Sequence, residues 1–271
     1  MVLSKNGANL YLPQGKSGKI THLAIGAHQD DVEIMAFHGI SECYNCKDKG
    51  FFAVVATNGA GSPRNGKFKG VSDEKMCDIR RKEQIKASRI GKYGALAQLN
   101  FASSEIKSKE CTALLSDLRG IFEEFKPKTV YIHNLADKHP THVALALKCL
   151  EVMRGLPEEL KPEKVLGCEV WRGLDWLSDK EKITLDISRH GRLFKRLISC
   201  FKSQIAGGKR YDIATKGRML ANATFSASHQ TDGAKKITLA MDLTPLIYGD
   251  MCAKEFILSK IDLLRSEVFC S

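Results

Sequence analysis

Two short clusters in this 271-residue chain carry residue types that do chemistry: His28-Gln29-Asp30-Asp31 and, far downstream, His139-Pro140-Thr141-His142. Together they offer imidazoles and a carboxylate to a metal ion and leave a further carboxylate and imidazole for proton transfer, the components of a hydrolytic zinc site. His28 and Asp31 stand three apart, a spacing that can bring both side chains to one ion across a turn. A catalytic zinc usually takes three protein ligands and keeps a position for water, so a third ligand must come from elsewhere. His139 and His142 can share a face of a first helical turn, so that one ligates while the other stays free. Asp137, just upstream, is placed to hydrogen-bond an imidazole and fix its tautomer. His22, His38, His190 and His229 lack such company and read as surface or core histidines.

The elements that position these clusters follow from the flanking patterns. Thr21 to Ala27 is a compact apolar stretch after the polar Lys16-Ser17-Gly18-Lys19, and a helix-compatible run begins at Asp31. The first cluster therefore sits at a strand-to-helix turn, where ligands bind in open α/β sheets and where free N–H groups favour carboxylates. Lys128 to His133 is β-rich and Pro140 opens a helix, so the second cluster also follows a strand. Strands are expected at 21–27, 51–57, 97–101, 128–133 and 165–171, and helices at 32–46, 73–91, 108–125 and 140–154. That alternation implies a Rossmann-like three-layer α/β fold with a mainly parallel sheet. Further on, 183–187 reads as a strand, and 190–203 and 253–268 as helices. Gly59-Ala60-Gly61-Ser62-Pro63 is no dinucleotide fingerprint, and Asn58 to Ser72 reads as a flap over the site. One domain over 1–271 is expected, with its core at about 20–205 and residues 206–271 packed on it.

The first cluster, within Ala27-His28-Gln29-Asp30-Asp31-Val32-Glu33, resembles the A-H-P-D-D-E motif of the PIG-L/LmbE-like zinc N-deacetylases, and the second resembles their H-P-D-H motif. Arg80 to Gly91 is similar to the family's R-x-x-E helix, Thr57-Asn58-Gly59 to its T-[DN]-G turn, and Lys202-Ser203-Gln204 to its H-x-S-Q-like segment. The resemblance spans roughly residues 20 to 205. It implies Zn2+ held by His28, Asp31 and His142, with Asp30 as general base and protonated His139 as the electrostatic partner of the intermediate. It also implies substrate contacts from Arg80 and Asn58. Fe2+ can occupy similar His/Asp sites. Gln29 replaces the motif's proline, Val32 its glutamate (Glu33 follows one position later), and Thr141 its aspartate; no implied ligand or base is lost.

The implied activity is removal of an N-acetyl group from an N-acetylglucosamine-type conjugate. Hydrolysis of another amide or of a phosphoester, or a catalytically silent sugar- or nucleic-acid-binding role, remain the alternatives. The net charge is +11, and Lys67, Lys69, Arg80-Arg81-Lys82 and Lys195-Arg196 could surround the metal and favour an anionic conjugate. No nucleic-acid motif accompanies that charge, and aromatics at 7% are too few for a stacking platform. The N-terminus lacks an apolar export segment and no run is long enough to span a bilayer, so a cytoplasmic protein with no membrane partner is expected; a homo-oligomer stays open. Nine cysteines in such a chain read as free thiols. Cys43-x-x-Cys46 has no second pair with which to build a structural zinc site.

Overall fold

The computed structural model describes residues 2–13 and 19–268; the polar Lys16 to Gly18 lie outside them. Among the described residues eight strands form one sheet: β1 (Asn9–Tyr11), β2 (His22–Gly26), β3 (Phe51–Thr57), β4 (Ala95–Phe101), β5 (Thr129–His133), β6 (Lys164–Cys168), β7 (Ile183–Asp186) and β8 (Ile237–Asp242), in the order β1-β4-β3-β2-β5-β6-β8-β7. The helices are α1 (Asp31–Met35), α2 (Phe37–Cys43), α3 (Asp73–Gly91), α4 (Ser103–Lys107), α5 (Thr112–Phe125), α6 (Pro140–Arg154), α7 (Gly191–Ile198), α8 (Lys202–Ile205), α9 (Tyr211–Thr224), α10 (Pro245–Tyr248) and α11 (Ala253–Glu267). No helix among the described residues is long and apolar enough to cross a membrane.

The central strands β4, β3, β2, β5 and β6 are parallel, as expected for apolar runs buried on both faces such as Phe51 to Thr57. The sheet as a whole is mixed, which corrects the expectation of a mainly parallel one: β1 joins β4, and β8 joins both β6 and β7, antiparallel. The correction comes chiefly from the C-terminal part of the chain. β8 is inserted between β6 and β7, pairing Met241 with Gly167 and Ala240 with Ile183. Its apolar residues are buried, so it joins the core and cannot be a loose appendage.

Several boundaries also move. The expected 32–46 helix breaks at Ala36 (φ −116°, ψ 22°), dividing α1 from α2. The 108–125 helix starts later, as α5 at Thr112, with the unexpected α4 just before it, and the 190–203 helix becomes α7 and α8. By contrast, α3 and α6 keep their expected limits. Ser72 caps α3 by accepting from the Lys75 N–H at 3.3 Å, with Asp73 and Glu74 complementing the positive helix end. The face of α3 that packs inward carries Met76, Arg80, Gln84 and Ala87 at helical spacing, and its two long polar side chains point toward the first cluster.

Strand order reverses at β2. The chain runs outward through β3 and β4, then returns to place β5 on the other side of β2. The crevice beyond the carboxyl ends of β2 and β5 is a topological switch point, the place where open α/β sheets bind ligands. Both clusters leave the sheet there.

His22, at the opposite end of β2, supplies an independent test of the buried packing. Burial, reinforced by Lys49 and His38, lowers it from 6.5 to about 4. Between those values the unfolded chain binds the proton more tightly, so stability is full above the unfolded value and is lost as pH falls toward the folded one. Replacing His22 with Gln is expected to remove on the order of 2 kcal/mol of the stability difference between about pH 7 and pH 4.5, read by chemical denaturation. An unchanged difference would show that His22 is not held neutral by the fold.

Candidate metal centre

The turn after β2 is shaped by its own hydrogen bonds. The His28 N–H donates to Asp31 Oδ2 at 2.7 Å, which draws that carboxylate back toward the imidazole three residues earlier. His28 Nδ1 lies 3.2 Å from Asp31 Oδ2 and 3.1 Å from His142 Nε2, and His142 Nε2 lies 3.2 Å from Asp31 Oδ2. The implied ligand set thus forms a nearly equilateral triangle of donor atoms. Tetrahedral Zn2+ with ligand distances of about 2.0–2.2 Å sets its donors roughly 3.3–3.5 Å apart, so the triangle fits such a cation with little adjustment. Asp31 is held well below the usual carboxylate range: burial works against its charge, but His142 and His28 outweigh it. His142 is likewise pushed down by burial and up by Asp31 and Asp137, with the net result raised to about 9.

Asp137 braces this arrangement. Its Oδ1 accepts the His139 N–H at 2.9 Å and lies 3.4 Å from His142 Nδ1, while its Oδ2 accepts the Trp171 and Arg172 N–H groups at 3.0 and 3.3 Å. His139 is the N-cap of α6, and its Nδ1 accepts the Thr141 N–H at 3.3 Å, which leaves the proton on Nε2. Burial, with His28 and His142 beside it, lowers His139 to about 4. A bound cation would lower it further, so His139 is neutral near pH 7 and offers an N–H donor. The resemblance implies a protonated His139 at the intermediate, whereas these surroundings favour the neutral ring before reaction.

Asp30 sits apart from the triangle in a frame built by α3. Its backbone is left-handed (φ 91°, ψ −28°), its N–H donates to Gln84 Oε1 at 3.3 Å, and its carboxylate meets Arg80 Nη2 at 3.3 Å. Burial raises Asp30 to about 8 against the pull of Arg80, with Asp31 and Glu33 adding to the rise. Behind it, Glu33 Oε1 accepts from Gln84 Nε2 at 2.7 Å and from the Tyr93 hydroxyl at 2.8 Å. Gln29, where the motif carries proline, donates to Thr57 O at 3.0 Å, and its carbonyl accepts from Arg80. These bonds replace the stiffness that proline would supply. Gly59, at φ 79°, completes the turn: a Cβ there would fall 2.6 Å from Gln29 Oε1.

A cavity of about 480 Å³ opens over His28, Asp30, Asp31 and His139. Arg80 reaches its edge but is 2% exposed, and its guanidinium is engaged by Asp30, Gln29 O, Ser203 and Glu83. These contacts orient protein groups around the cavity that Arg80 lines, and its Nε is left without a partner among the described residues. Asn58 does not line the cavity; its Oδ1 accepts the Ala60 N–H at 3.0 Å and closes its own turn. Gly61, Ser62 and Pro63 of the expected flap do form a wall. Arg64 ties that loop together by donating to Ala60, Ser62 and Val71 carbonyls. Of the expected ring of cations, Lys67, Lys69, Arg81, Lys82, Lys195 and Arg196 all lie off this cavity, whose ammonium groups are Lys107 and Lys209. Cys43 and Cys46 are both free.

Other site residues carried no signal in spacing. His133 stacks on His142 at 3.8 Å between ring centroids and approaches Asp31 Oδ2 at 3.5 Å. Its Nε2 accepts the Ala27 N–H at 2.9 Å, which occupies the lone pair a metal would need. Its position as the last residue of β5, at the carboxyl end of a strand, was the clue available. Trp171 and Tyr211 form an aromatic corner of the cavity, edge to face at 6.1 Å, with Lys209 Nζ 4.8 Å above the indole.

A search of curated proteins finds no match to this chain. Among solved structures, N,N′-diacetylchitobiose deacetylase from Pyrococcus horikoshii, complexed with an inhibitor, is similar at TM-score 0.67 and 17% identity, covering 88% of each chain. 4-Carboxy-2-hydroxymuconate hydratase from Pseudomonas putida is similar at TM-score 0.64 and 17% identity, over 87% of this chain and 100% of its own. The zinc-inhibited form of teicoplanin deacetylase Orf2 is similar at TM-score 0.56 and 15% identity, over 82% and 97%. At such identities the likeness establishes the fold, and the hydratase shows that the fold alone does not select one reaction. The family model described as PIG-L, GlcNAc-PI de-N-acetylase, matches residues 23–153, the stretch that contains both clusters. Residues 23–153 thus match the PIG-L family model, on an α/β fold like that of solved deacetylases.

Proposed function

We propose that this protein is a zinc-dependent hydrolase that removes the acetyl group from the amino nitrogen of an N-acetylglucosamine-type conjugate. The observation that carries the reading is the triangle of His28, Asp31 and His142 donor atoms at 3.1–3.2 Å, set beside a separately framed carboxylate, Asp30. The family match and the deacetylase neighbour that takes a diacetylated amino sugar support the acyl group and the sugar. His28, Asp31 and His142 hold the cation, with Asp137 behind His142. Zn2+ in such a donor set supplies a water of lowered pKa and polarises a carbonyl, and Fe2+ suits the same donors.

The chain's own groups do the rest. Asp30 accepts the proton of the attacking water, and its raised value keeps its proton affinity close to the working pH. Arg80 holds that carboxylate in place through the transfer, and Gln84 holds the Asp30 backbone N–H. His139 directs a neutral Nε2–H toward the cavity, where it donates to oxygen as negative charge develops, a contribution worth about a hundredfold in rate at comparable sites. Asp30 then returns the proton to the departing amine. Trp171 and Tyr211 present an apolar corner to a sugar ring. Trp171→Ala is expected to raise KM about tenfold with little change in kcat, because it removes contact area and touches no reacting atom. Initial-rate kinetics decide it, and an equal fall in kcat would place Trp171 in the chemistry.

The central experiment is amine release from neutral and phosphorylated N-acetylglucosamine conjugates by metal-loaded protein, with and without chelator. Chelator-sensitive release supports the proposal. Absence of release from every conjugate by protein with metal bound would overturn the sugar assignment.

A further inference from the structure

Two of the lysines expected around the metal, Lys67 and Lys195, gather instead at a second cavity of about 580 Å³, together with Lys202, Lys216 and Lys236. This cavity shares no lining residue with the one over the metal centre. The segment 202–212 partitions them: Gln204, Lys209 and Tyr211 face the metal cavity, while Lys202, Ile205 and Asp212 face the other. The five lysines come from the loop before α3, from α7, α8 and α9, and from the approach to β8. They are brought together by the fold and form no run in the sequence.

None of the five has a carboxylate partner among the described residues. The one acidic lining residue, Asp212, is already held by Arg210 through bonds of 2.9 and 3.0 Å. Five lysines lining one concavity raise its positive potential, and an anion entering it relieves their mutual repulsion. Beneath the charge the lining is apolar, with Phe194 and Ile198 of α7 beside Ile205. The volume falls in the range of small-molecule sites. Phe194 is the only aromatic lining residue and is 5% exposed, so no platform exists for stacking successive nucleic-acid bases.

We infer that this cavity is a second ligand site, for an organic phosphate that joins a dianionic head to a compact apolar body. The inference is independent of the reaction at the metal centre and is tested by binding alone. Chelator-treated protein, so that no phosphate can ligate a metal, is titrated with 1-naphthyl phosphate by calorimetry, with 1-naphthol and inorganic phosphate as the two half-probes. One equivalent of naphthyl phosphate is expected to bind, about tenfold or more tighter than either half. The Lys195→Ala/Lys202→Ala double variant, altered only at exposed side chains, is expected to weaken it about tenfold. The Lys47→Ala/Lys180→Ala variant has the same net charge but is changed at exposed lysines off the cavity, and is expected to bind as wild type. Three results would each overturn the inference: no saturable binding, equal weakening in both double variants, or inorganic phosphate binding as tightly as the naphthyl ester.

Discussion

Asp30→Asn is expected to lower deacetylation by about a hundred- to ten-thousandfold while leaving the metal content of the protein at its wild-type level. Asparagine is the informative replacement because position 30 has φ 91°, a conformation that Asn tolerates and Ala does not. Alanine would mix backbone strain with loss of the base. Asn also keeps an oxygen able to meet Arg80, so the buried guanidinium retains a partner. The variant therefore isolates proton transfer. Metal analysis beside turnover separates the outcomes: a variant that loses its metal makes Asp30 a ligand, and one that keeps wild-type turnover removes it from the mechanism.

His142→Ala is expected to abolish both metal binding and activity, and to destabilise the protein as well. His142 is buried between two carboxylates, Asp31 at 3.2 Å and Asp137 at 3.4 Å. Removing it leaves two buried anions facing a void, a change that typically costs about 3–5 kcal/mol. Metal stoichiometry, activity and thermal unfolding read the three effects together. Retention of a full equivalent of metal by a folded variant would refute the ligand assignment. Because loss of metal could follow from unfolding, His142→Gln, which keeps volume and a polar end, serves as the companion. It is expected to fold better than the alanine variant and still to lose the metal.

The parts of this fold that were legible are those where local chemistry decides structure. Ser72 and the acidic pair after it mark the start of α3, Gly91 marks its end, and Pro140 marks the start of α6. The same holds for the site: His28, Asp31, His139 and His142 follow β2 and β5 at the starts of α1 and α6, and the switch point between those strands draws them together. What depends on long-range placement was not legible. β8 follows a polar stretch, and its insertion between β6 and β7 is decided by pairing partners far away in sequence. The resemblance of Thr57-Asn58-Gly59 implies a substrate contact at Asn58, while only the fold shows that its Oδ1 closes its own turn. Lys67 and Lys195 have a charge that sequence shows and a cavity that only the fold assigns.

The division of the chain at the metal cavity has a consequence for how such a protein can change. Every atom of the donor triangle, and the carboxylate beside it, comes from the segments that follow the adjacent strands β2 and β5 into the first turns of α1 and α6, within residues 23–153. Trp171, Gln204, Lys209 and Tyr211, which shape the opposite wall, all come later in the chain. Mutations in the later segment can therefore drift, lengthen or exchange the wall while the reactive centre stays under a separate constraint. Inheritance can preserve the catalyst and revise its clientele.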